Sequence, residues 1–270
     1  MYLTLCITNC PTSGHPAPLQ SKDTKKDILL AKEIGFDAVE MHLADPTAYD
    51  WDDISAFLAK ENMRLSSIAT GTSAIYHGAN LTSMNSYIYE YTMRTLKRYI
   101  DVSAQTGAGI IIGGMKGPIP GGYDMPAYLD LLYDRFMPAV EYAEKKGGVL
   151  LMEAINRYET PIFNTAAETL EFVNRVDSKT IFVHLDTFHM NIEDPDMPAA
   201  IRLCGDKLGH IHFADSNRKY CGSGSVDFKA VIDALQEIGY DRACSFEYLP
   251  LPSQYESAKL GYDYIKPMMP

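Results

Sequence analysis

The chain has 270 residues, 46% of them hydrophobic and 22% charged, which is ordinary for a globular protein and sufficient for one large α/β domain or two smaller ones. The net charge of −11 argues against nucleic acid or an anionic membrane as a partner, and no apolar segment approaches the ~18 residues of a membrane span. The five cysteines share no CxxC spacing, and the N-terminal segment lacks the features of a signal peptide, so we expect a cytoplasmic protein.

Short apolar segments alternate with longer amphipathic ones along the whole chain. Eight short segments are predicted to be strands, at Tyr2–Thr8, Ala38–His42, 64–70, 110–114, Val149–Glu153, Ile181–Asp186, 208–214 and 242–247. The segments between them carry helix signals. Thr165 and Glu168 form a capping box, and three aspartates stand at N-cap positions, namely Asp50, Asp124 and Asp227. Glycines close two of the predicted helices, at Gly107 and Gly147.

Eight successive βα units are typical of a closed (β/α)8 barrel, the TIM barrel, which usually takes about 250 residues. A doubly wound sheet is the alternative. Such a sheet usually carries a glycine-rich phosphate loop after its first strand, and residues 8–14 (TNCPTSG) do not form that motif. We therefore predict an α/β fold that consists of a single TIM barrel over residues 1–270.

The last four predicted strands end in residues that can bind a metal. Glu153 follows the apolar run VLLM, and each of the next three strands contributes one such residue, namely Asp186, His212 and Glu247. Burying an unpaired carboxylate costs several kcal/mol, so Glu153 is expected to be neutralised, ion-paired or bound to a metal. A single acid in this position could also cap the next helix. Four consecutive units favour a divalent-metal site with mostly hard oxygen ligands, because a barrel brings its strand ends to one mouth.

Other polar residues follow the same strands. His184 and His210 precede the strand-end residues by two positions, and we expect both to be structural. His189 lies in the loop after Asp186 and is better placed to reach a substrate. Arg218 follows the strand of His212 and could supply a fixed positive charge at the mouth, with a surface salt bridge as the alternative.

Two further segments have open interpretations. Lys116, in GGMKGPIPGG, could contact an anion or could be exposed to solvent. Residues 221–227 (CGSGSVD) could form a phosphate cradle, because phosphate sites of barrels often follow the last two strands. A Gly/Ser turn that leads into the Asp227 N-cap explains the segment as well, and we favour the turn.

Several longer motifs surround these residues: MEAINRYE (152–159), HLDTFHMNIE (184–193), HIHFADSNR (210–218), SFEYLPLP (245–252), DPTAYDW (45–51) and IATG (68–71). Through them the chain resembles the xylose-isomerase-like barrels over nearly its whole length. Within that family it is most similar to the ketose 3-epimerases, such as 5-keto-L-gluconate epimerase and D-tagatose 3-epimerase.

The resemblance implies a set of roles. Glu153, Asp186, His212 and Glu247 would bind one divalent metal ion, Mn²⁺ in the first place, with Co²⁺ or Mg²⁺ as alternatives. Glu153 and Glu247 would also be the acid/base pair. Substrate contacts would come from Glu159, His189 and Arg218. The partner would be a small sugar, and the family expectation for assembly is a homodimer or homotetramer.

The reaction implied is inversion at C3 of a ketose or keto-sugar acid. One carboxylate would remove the C3 proton to give a cis-enediolate, and the other would return a proton to the opposite face. An aldose–ketose isomerase could use the same site. Two alternatives from other classes remain, a metal-dependent hydrolase or lyase and a non-catalytic sugar-binding barrel.

Overall fold

The computed structural model describes residues 1–10 and 14–270, so residues 11–13 of the 8–14 segment lie outside the described residues. Eight parallel strands close into a barrel in chain order, with the first strand paired to the last. The strands are β1 Tyr2–Thr8, β2 Ala38–His42, β3 Arg64–Ala69, β4 Gly109–Ile112, β5 Val149–Glu153, β6 Ile181–Asp186, β7 Leu208–Phe213 and β8 Ala243–Phe246.

α-Helices pack around this barrel. In the described residues they are α1 Thr24–Ile34, α2 Trp51–Lys60, α3 Gly71–His77, α4 Ser86–Thr106, α5 Met125–Lys146, α6 Ala166–Val176, α7 Thr187–Glu193, α8 Met197–Cys204, α9 Phe228–Glu237 and α10 Gln254–Ile265. Not one of these helices is both long and apolar enough to cross a bilayer. The predicted TIM barrel is confirmed.

All eight predicted strands are present, and four have the predicted bounds. The helix signals are also confirmed. Thr165 and Glu168 form both hydrogen bonds of a capping box at the start of α6. The three predicted aspartates accept hydrogen bonds from the first turns of their helices, Asp50, Asp124 and Asp227. Both predicted closing glycines adopt the left-handed conformation that favours glycine, Gly107 and Gly147.

The interior of the barrel is divided between apolar and polar side chains. Ala69, Ile111 and Leu151 form a small apolar cluster on β3, β4 and β5, while the main core lies between the strands and the helices. The rest of the interior holds buried polar side chains, including Cys6, Glu40, Ser67, His184, His210, His212 and Ser245. Barrel interiors are usually filled by branched apolar residues, so this polar half needs a chemical explanation.

Candidate metal centre and active site

The carboxyl ends of the strands surround a cavity of about 540 Å³. Of the seven residues predicted for the site, six line it: Glu153, Glu159, His189, His212, Arg218 and Glu247. The seventh, Asp186, is fully buried at the end of β6, where its side chain also caps α7 through the Phe188 N–H. The structure therefore brings together all seven residues that were predicted from the sequence to lie at this mouth.

The four strand-end residues form the centre of the cluster. Ligand atoms of Glu153, Asp186 and His212 all lie within 4.8 Å of one another. Glu247 joins them from β8, with its Oε2 3.5 Å from Nδ1 of His212. Gly113 makes room for the cluster, because a Cβ at this position would collide with Oε2 of Glu153.

The orientation of His212 bears on whether a cation fits. Its Nε2 lies 2.9 Å and 3.1 Å from the two carboxylate oxygens of Glu40. Its Nδ1 is buried and finds no hydrogen-bond partner among the described residues. A buried nitrogen without a partner is costly, and this one stands beside three carboxylates. One imidazole nitrogen and three carboxylates are suitable donors for a divalent ion such as Mn²⁺, so the residues fit the predicted metal.

Arg218 supplies the fixed positive charge at the mouth. Its Nη2 donates to Glu247 at 2.7 Å and its Nη1 to Asp186 at 3.2 Å. The guanidinium also stacks on the ring of Phe188, 4.6 Å from the ring centre. The backbone of Arg218 has a φ of +59°, held by a turn in which its N–H donates to the Asp215 carbonyl. Arg218 therefore makes its ion pairs within the site, and the alternative interpretation, a surface salt bridge, is wrong.

His189 and Glu159 are linked through Asn156. The Asn156 amide donates to Nδ1 of His189 at 2.7 Å and to Glu159 at 2.9 Å. His189 is buried, with Nε2 3.4 Å from Nη1 of Arg218, whereas Glu159 is exposed at the rim. This chain of contacts orders one wall of the cavity from its floor to its edge.

The acids at the mouth differ in their affinity for protons. Burial, together with the charge of Glu247, raises the pKa of Glu153 to about 8. Burial also raises the pKa of Asp186, to about 6. Burial opposes ionisation of Glu247 as well, but Arg218 and His212 hold its pKa well below the ordinary value. Two glutamates of one cavity therefore prefer opposite protonation states.

Glu40 is a buried residue that the sequence analysis missed. It lies in the middle of β2 with no exposed surface. Burial opposes its charge, yet the histidines around it hold its pKa well below the ordinary range. Its carboxylate contacts five side chains, Cys6, His42, Ser67, His210 and His212. The signal was present, because a glutamate inside a strand buried on both faces needs a partner just as Glu153 does.

Lys116 differs from both interpretations of the sequence. It is buried rather than exposed, and its ammonium donates to the main-chain carbonyl of Glu153 at 2.5 Å instead of standing free to contact an anion. Burial lowers its pKa to about 8. The short 3-10 turn Gly114–Lys116 after β4 directs the side chain inward, which the flanking glycines did not reveal.

The segment 221–227 is a turn. Its Gly222 and Val226 N–H groups donate to the side chain of Asp215, at 2.8 Å and 3.1 Å. These donors would be needed for a phosphate cradle, so the structure supports the turn that we favoured. The same aspartate accepts from Ser216, which ties the loop to the end of β7.

His184 and His210 are interior residues, as expected. His210 donates to Glu40 at 2.7 Å through Nε2. The His184 ring packs against the rings of His210 and His212, with centres 5.0 Å and 4.1 Å apart. Both lie below the cavity, because neither ring lines it.

Comparison with known proteins agrees with this geometry. A family model described as the xylose isomerase-like TIM barrel matches residues 28–266. An L-ribulose 3-epimerase of Methylomonas sp. strain DH-1 is 33% identical over 228 residues, which cover 83% of this chain and 77% of that protein. A ketose 3-epimerase of Arthrobacter globiformis is 31% identical over 242 residues, covering 87% of this chain and 80% of the relative.

A solved structure extends the likeness to the whole fold. It is the crystal structure of D-allulose 3-epimerase from Methylomonas sp. in complex with D-allulose. The two chains are 26% identical with a TM-score of 0.80, and the match covers 99% of this chain and 97% of the other. The resemblance seen in the sequence motifs is thus confirmed. The chain belongs to the xylose isomerase-like TIM-barrel family, and the two relatives described above are sugar epimerases.

Proposed function

We propose that this chain is a divalent-metal-dependent epimerase that inverts C3 of a ketose or keto-sugar acid. The observation that carries the proposal is the meeting of Glu153, Asp186, His212 and Glu247 at one mouth, where the buried Nδ1 of His212 has no hydrogen-bond partner among residues 1–10 and 14–270. The named relatives support the choice of reaction. The cavity of about 540 Å³ has a volume suited to a small molecule such as a monosaccharide.

The four strand-end residues would hold the metal, Mn²⁺ in the first place and Co²⁺ or Mg²⁺ otherwise. When bound, such an ion acts as a Lewis acid that polarises a ketose carbonyl and acidifies the neighbouring C–H bond. His212 would bind through Nδ1, because its Nε2 is engaged by Glu40. The carboxylates would serve both as ligands and as the groups that exchange protons with the substrate.

The acid/base assignment follows from the surroundings of the two glutamates. Glu247 is held ionised beside Arg218, so it is able to accept a proton. Glu153 has a pKa of about 8 without an ion and would lose its proton on binding the metal, so it too would act as a carboxylate that must gain a proton before it returns one. The roles exchange when the reaction runs in reverse. Two bases on different strands are what inversion at one carbon requires.

The remaining polar groups would stabilise and orient the substrate. Arg218 and His189 stand side by side above the acids, where they could donate to the oxygen that gains charge in the enediolate. Glu159 at the rim would accept from a sugar hydroxyl, and its position is maintained by Asn156. Lys116 would help to hold the β5 end that presents Glu153.

The deciding experiment is NMR of the Mn²⁺-loaded protein in D₂O with a panel of ketoses and keto-sugar acids, recorded after quenching and removal of the metal. Deuterium at C3 together with a C3-inverted product is the expected result, and it would also name the sugar class. Deuterium at C1 with an aldose product would instead establish the aldose–ketose isomerase. Exchange with no compound of the panel would contradict both.

Replacing one proton-transfer group tests the assignment directly. Glu153→Gln is expected to abolish turnover, because an amide can neither accept nor donate the proton, while the circular dichroism spectrum remains that of a folded barrel. Glu171→Gln, which changes an exposed glutamate of α6, is the matched control and should keep full activity. Retained activity in Glu153→Gln would remove this residue from the mechanism.

The proposal also includes the compartment and the assembly. All five cysteines are free thiols, which supports a reducing compartment such as the cytoplasm. For a homodimer or homotetramer, a suitable surface is the exposed part of α3 at the rim of the cavity, where Ile75 is 68% exposed and Tyr76 49% exposed. Light scattering coupled to size exclusion would measure the mass, and a monomer at micromolar concentration would contradict this part.

A further inference from the structure

The carboxylate of Glu40 lies beneath the proposed metal centre and is surrounded by donors from four strands. Oε1 contacts His42 and His212, both at 2.9 Å, and Oε2 contacts Ser67 at 2.6 Å and His210 at 2.7 Å. The thiol of Cys6 completes the set at 3.3 Å from Oε1. The strands β1, β2, β3 and β7 therefore all fix this one group, and it has no exposed surface.

We propose that Glu40 is a positioning residue that holds His212 in the tautomer and ring orientation able to bind a divalent cation. This inference rests on the proposed metal centre and adds a residue outside its four ligands. Glu40 itself would not touch the cation or the substrate, since it does not line the cavity and acts through the far side of the His212 ring.

The first step of the argument concerns the proton on His212. An ionised carboxylate can only accept hydrogen bonds, so the ring nitrogen that faces Glu40 must carry a hydrogen. In the neutral ring that nitrogen is Nε2, and Nδ1 is left with a free lone pair. Nδ1 is the atom that lies 3.5 Å from Oε2 of Glu247 and has no hydrogen-bond partner in the described residues. Once the ring is neutral, as a metal ligand must be, the lone pair of Nδ1 is presented where the carboxylates converge.

The second step concerns rigidity. Both oxygens of Glu40 contact the same His212 nitrogen, at 2.9 Å and 3.1 Å, so the ring is bracketed rather than held at one point. His184 packs against the ring at a centre distance of 4.1 Å. A metal ligand that is oriented before the ion arrives loses less rotational freedom on binding, and such outer partners are worth about 10- to 100-fold in metal affinity or activity.

Glutamine at position 40 would reverse this arrangement while keeping the size of the side chain. One carboxylate oxygen would become an NH₂ group facing ring nitrogens that already donate, and at least one histidine would have to flip or change tautomer. We expect Glu40→Gln to weaken Mn²⁺ binding by about 10- to 100-fold. Because the defect lies in holding the ion, turnover of Glu40→Gln should recover when Mn²⁺ is raised to saturation.

The test is titration of the purified full chain with Mn²⁺, with the free ion measured by electron paramagnetic resonance. Asp27→Asn is the matched control, because Asp27 is also a buried carboxylate but belongs to α1, where it accepts from the Ser21 N–H. This control should keep the affinity of the original chain. If the loss of a buried charge merely destabilised the barrel, Glu40→Gln and Asp27→Asn would weaken Mn²⁺ binding to the same extent.

A double-mutant cycle with His212→Gln separates positioning from a general structural role. If Glu40 acts through His212, then Glu40→Gln will weaken Mn²⁺ binding much less in the His212→Gln background than in the original chain. Equal losses in both backgrounds would overturn the inference. If Glu40→Gln does not fold, Glu40→Asp serves instead, since the shorter carboxylate draws back from the ring, and unchanged affinity in folded Glu40→Asp would also overturn it.

Asp186→Asn shows whether a negative result concerns the role of Glu40 or the proposed metal centre on which that role rests. Unchanged Mn²⁺ affinity in Asp186→Asn would refute the metal centre, and the role of Glu40 with it. Weakened binding in Asp186→Asn with unchanged binding in Glu40→Gln would refute only the role of Glu40. Two bound ions per chain, with one lost in Glu40→Gln, would show Glu40 to be a ligand and would equally overturn the positioning role.

Discussion

The acidic side chains at the mouth carry more negative charge than the nearby cationic side chains can balance. Glu153, Asp186 and Glu247 converge on one cavity, and Arg218 bridges only the last two. In the part of the chain that the structure describes, Glu153 makes no such ion pair, and burial together with the charge of Glu247 raises its pKa to about 8. An acid that keeps its proton at neutral pH must release it before it can bind a cation, so metal binding and proton release are linked at this residue.

The affinity for Mn²⁺ should therefore increase with pH between about 6 and about 8, the pKa values of Asp186 and Glu153, and level off above. The sign follows because protons on both carboxyl groups compete with the cation, and each one lost can raise the affinity by up to about tenfold per pH unit. Calorimetry in buffers of different ionisation enthalpy would count the protons released. An affinity that is flat across this range would contradict the raised pKa values.

The sequence identified the residues at strand ends better than those inside the barrel. Glu153 stood out because a carboxylate ended an apolar run, and the structure does place it in the cavity. Glu40 was not identified, and the contact that Lys116 makes was not predicted, because both depend on partners that are distant in sequence. Glu40 contacts His210 across 170 positions, and Lys116 contacts the Glu153 carbonyl across 37. The local pattern can show that a buried glutamate needs a partner, but the partner itself is fixed only when the strands assemble.

The ends of the predicted strands agree with the structure to within one or two residues. The strand predicted at 110–114 stops at Ile112, because Gly113 and Gly114 turn away into the 3-10 segment that carries Lys116. Three other predicted strands end one residue early, β3, β7 and β8. Thr70 and Glu247 lie just beyond β3 and β8, although their N–H groups still donate to the adjacent strands, to the carbonyls of Ile111 and Phe213 at 3.3 Å. These ends differ because the chain leaves the sheet gradually at the mouth.

Helix α6 offers opposite changes at its two ends. Thr165→Ala removes the N-cap hydrogen bond to Glu168 and should lower the free energy of unfolding by about 1 kcal/mol. Asp177 is exposed at the C-cap, and its φ of +49° is a conformation that favours glycine. Asp177→Gly should therefore raise the free energy of unfolding by up to about 1 kcal/mol. Urea unfolding monitored by circular dichroism would measure both. Shifts of the same sign would contradict the capping argument.

In the molecule as a whole, the two ends of the barrel interior differ in composition and in their contribution to stability. At the carboxyl ends of the strands, the interior is built of acids and histidines, which repel or titrate and add little stability. Toward the opposite end, Leu151 packs with Phe182, and on its other side it contacts Ala69 and Ile111, which line the mouth. The strands approach closely there because two of them place glycine in the interior, Gly109 on β4 and Gly209 on β7. Stability should therefore depend on this apolar closure.

Adding a methyl group at these glycines tests that dependence. A Cβ at Gly209 would collide with Cβ of Phe182, an atom fixed to its backbone, whereas a Cβ at Gly109 would meet Cδ1 of Leu151, which can rotate away. Gly209→Ala should therefore lower the free energy of unfolding by about 1–3 kcal/mol, and Gly109→Ala by less. Gly121→Ala is the control, since no atom of the described residues lies within 4 Å of its added methyl. Chemical denaturation would rank the three variants. If Gly209→Ala matched the control, the barrel would have to accommodate the methyl by shifting β7, and close packing at this end would not limit its stability.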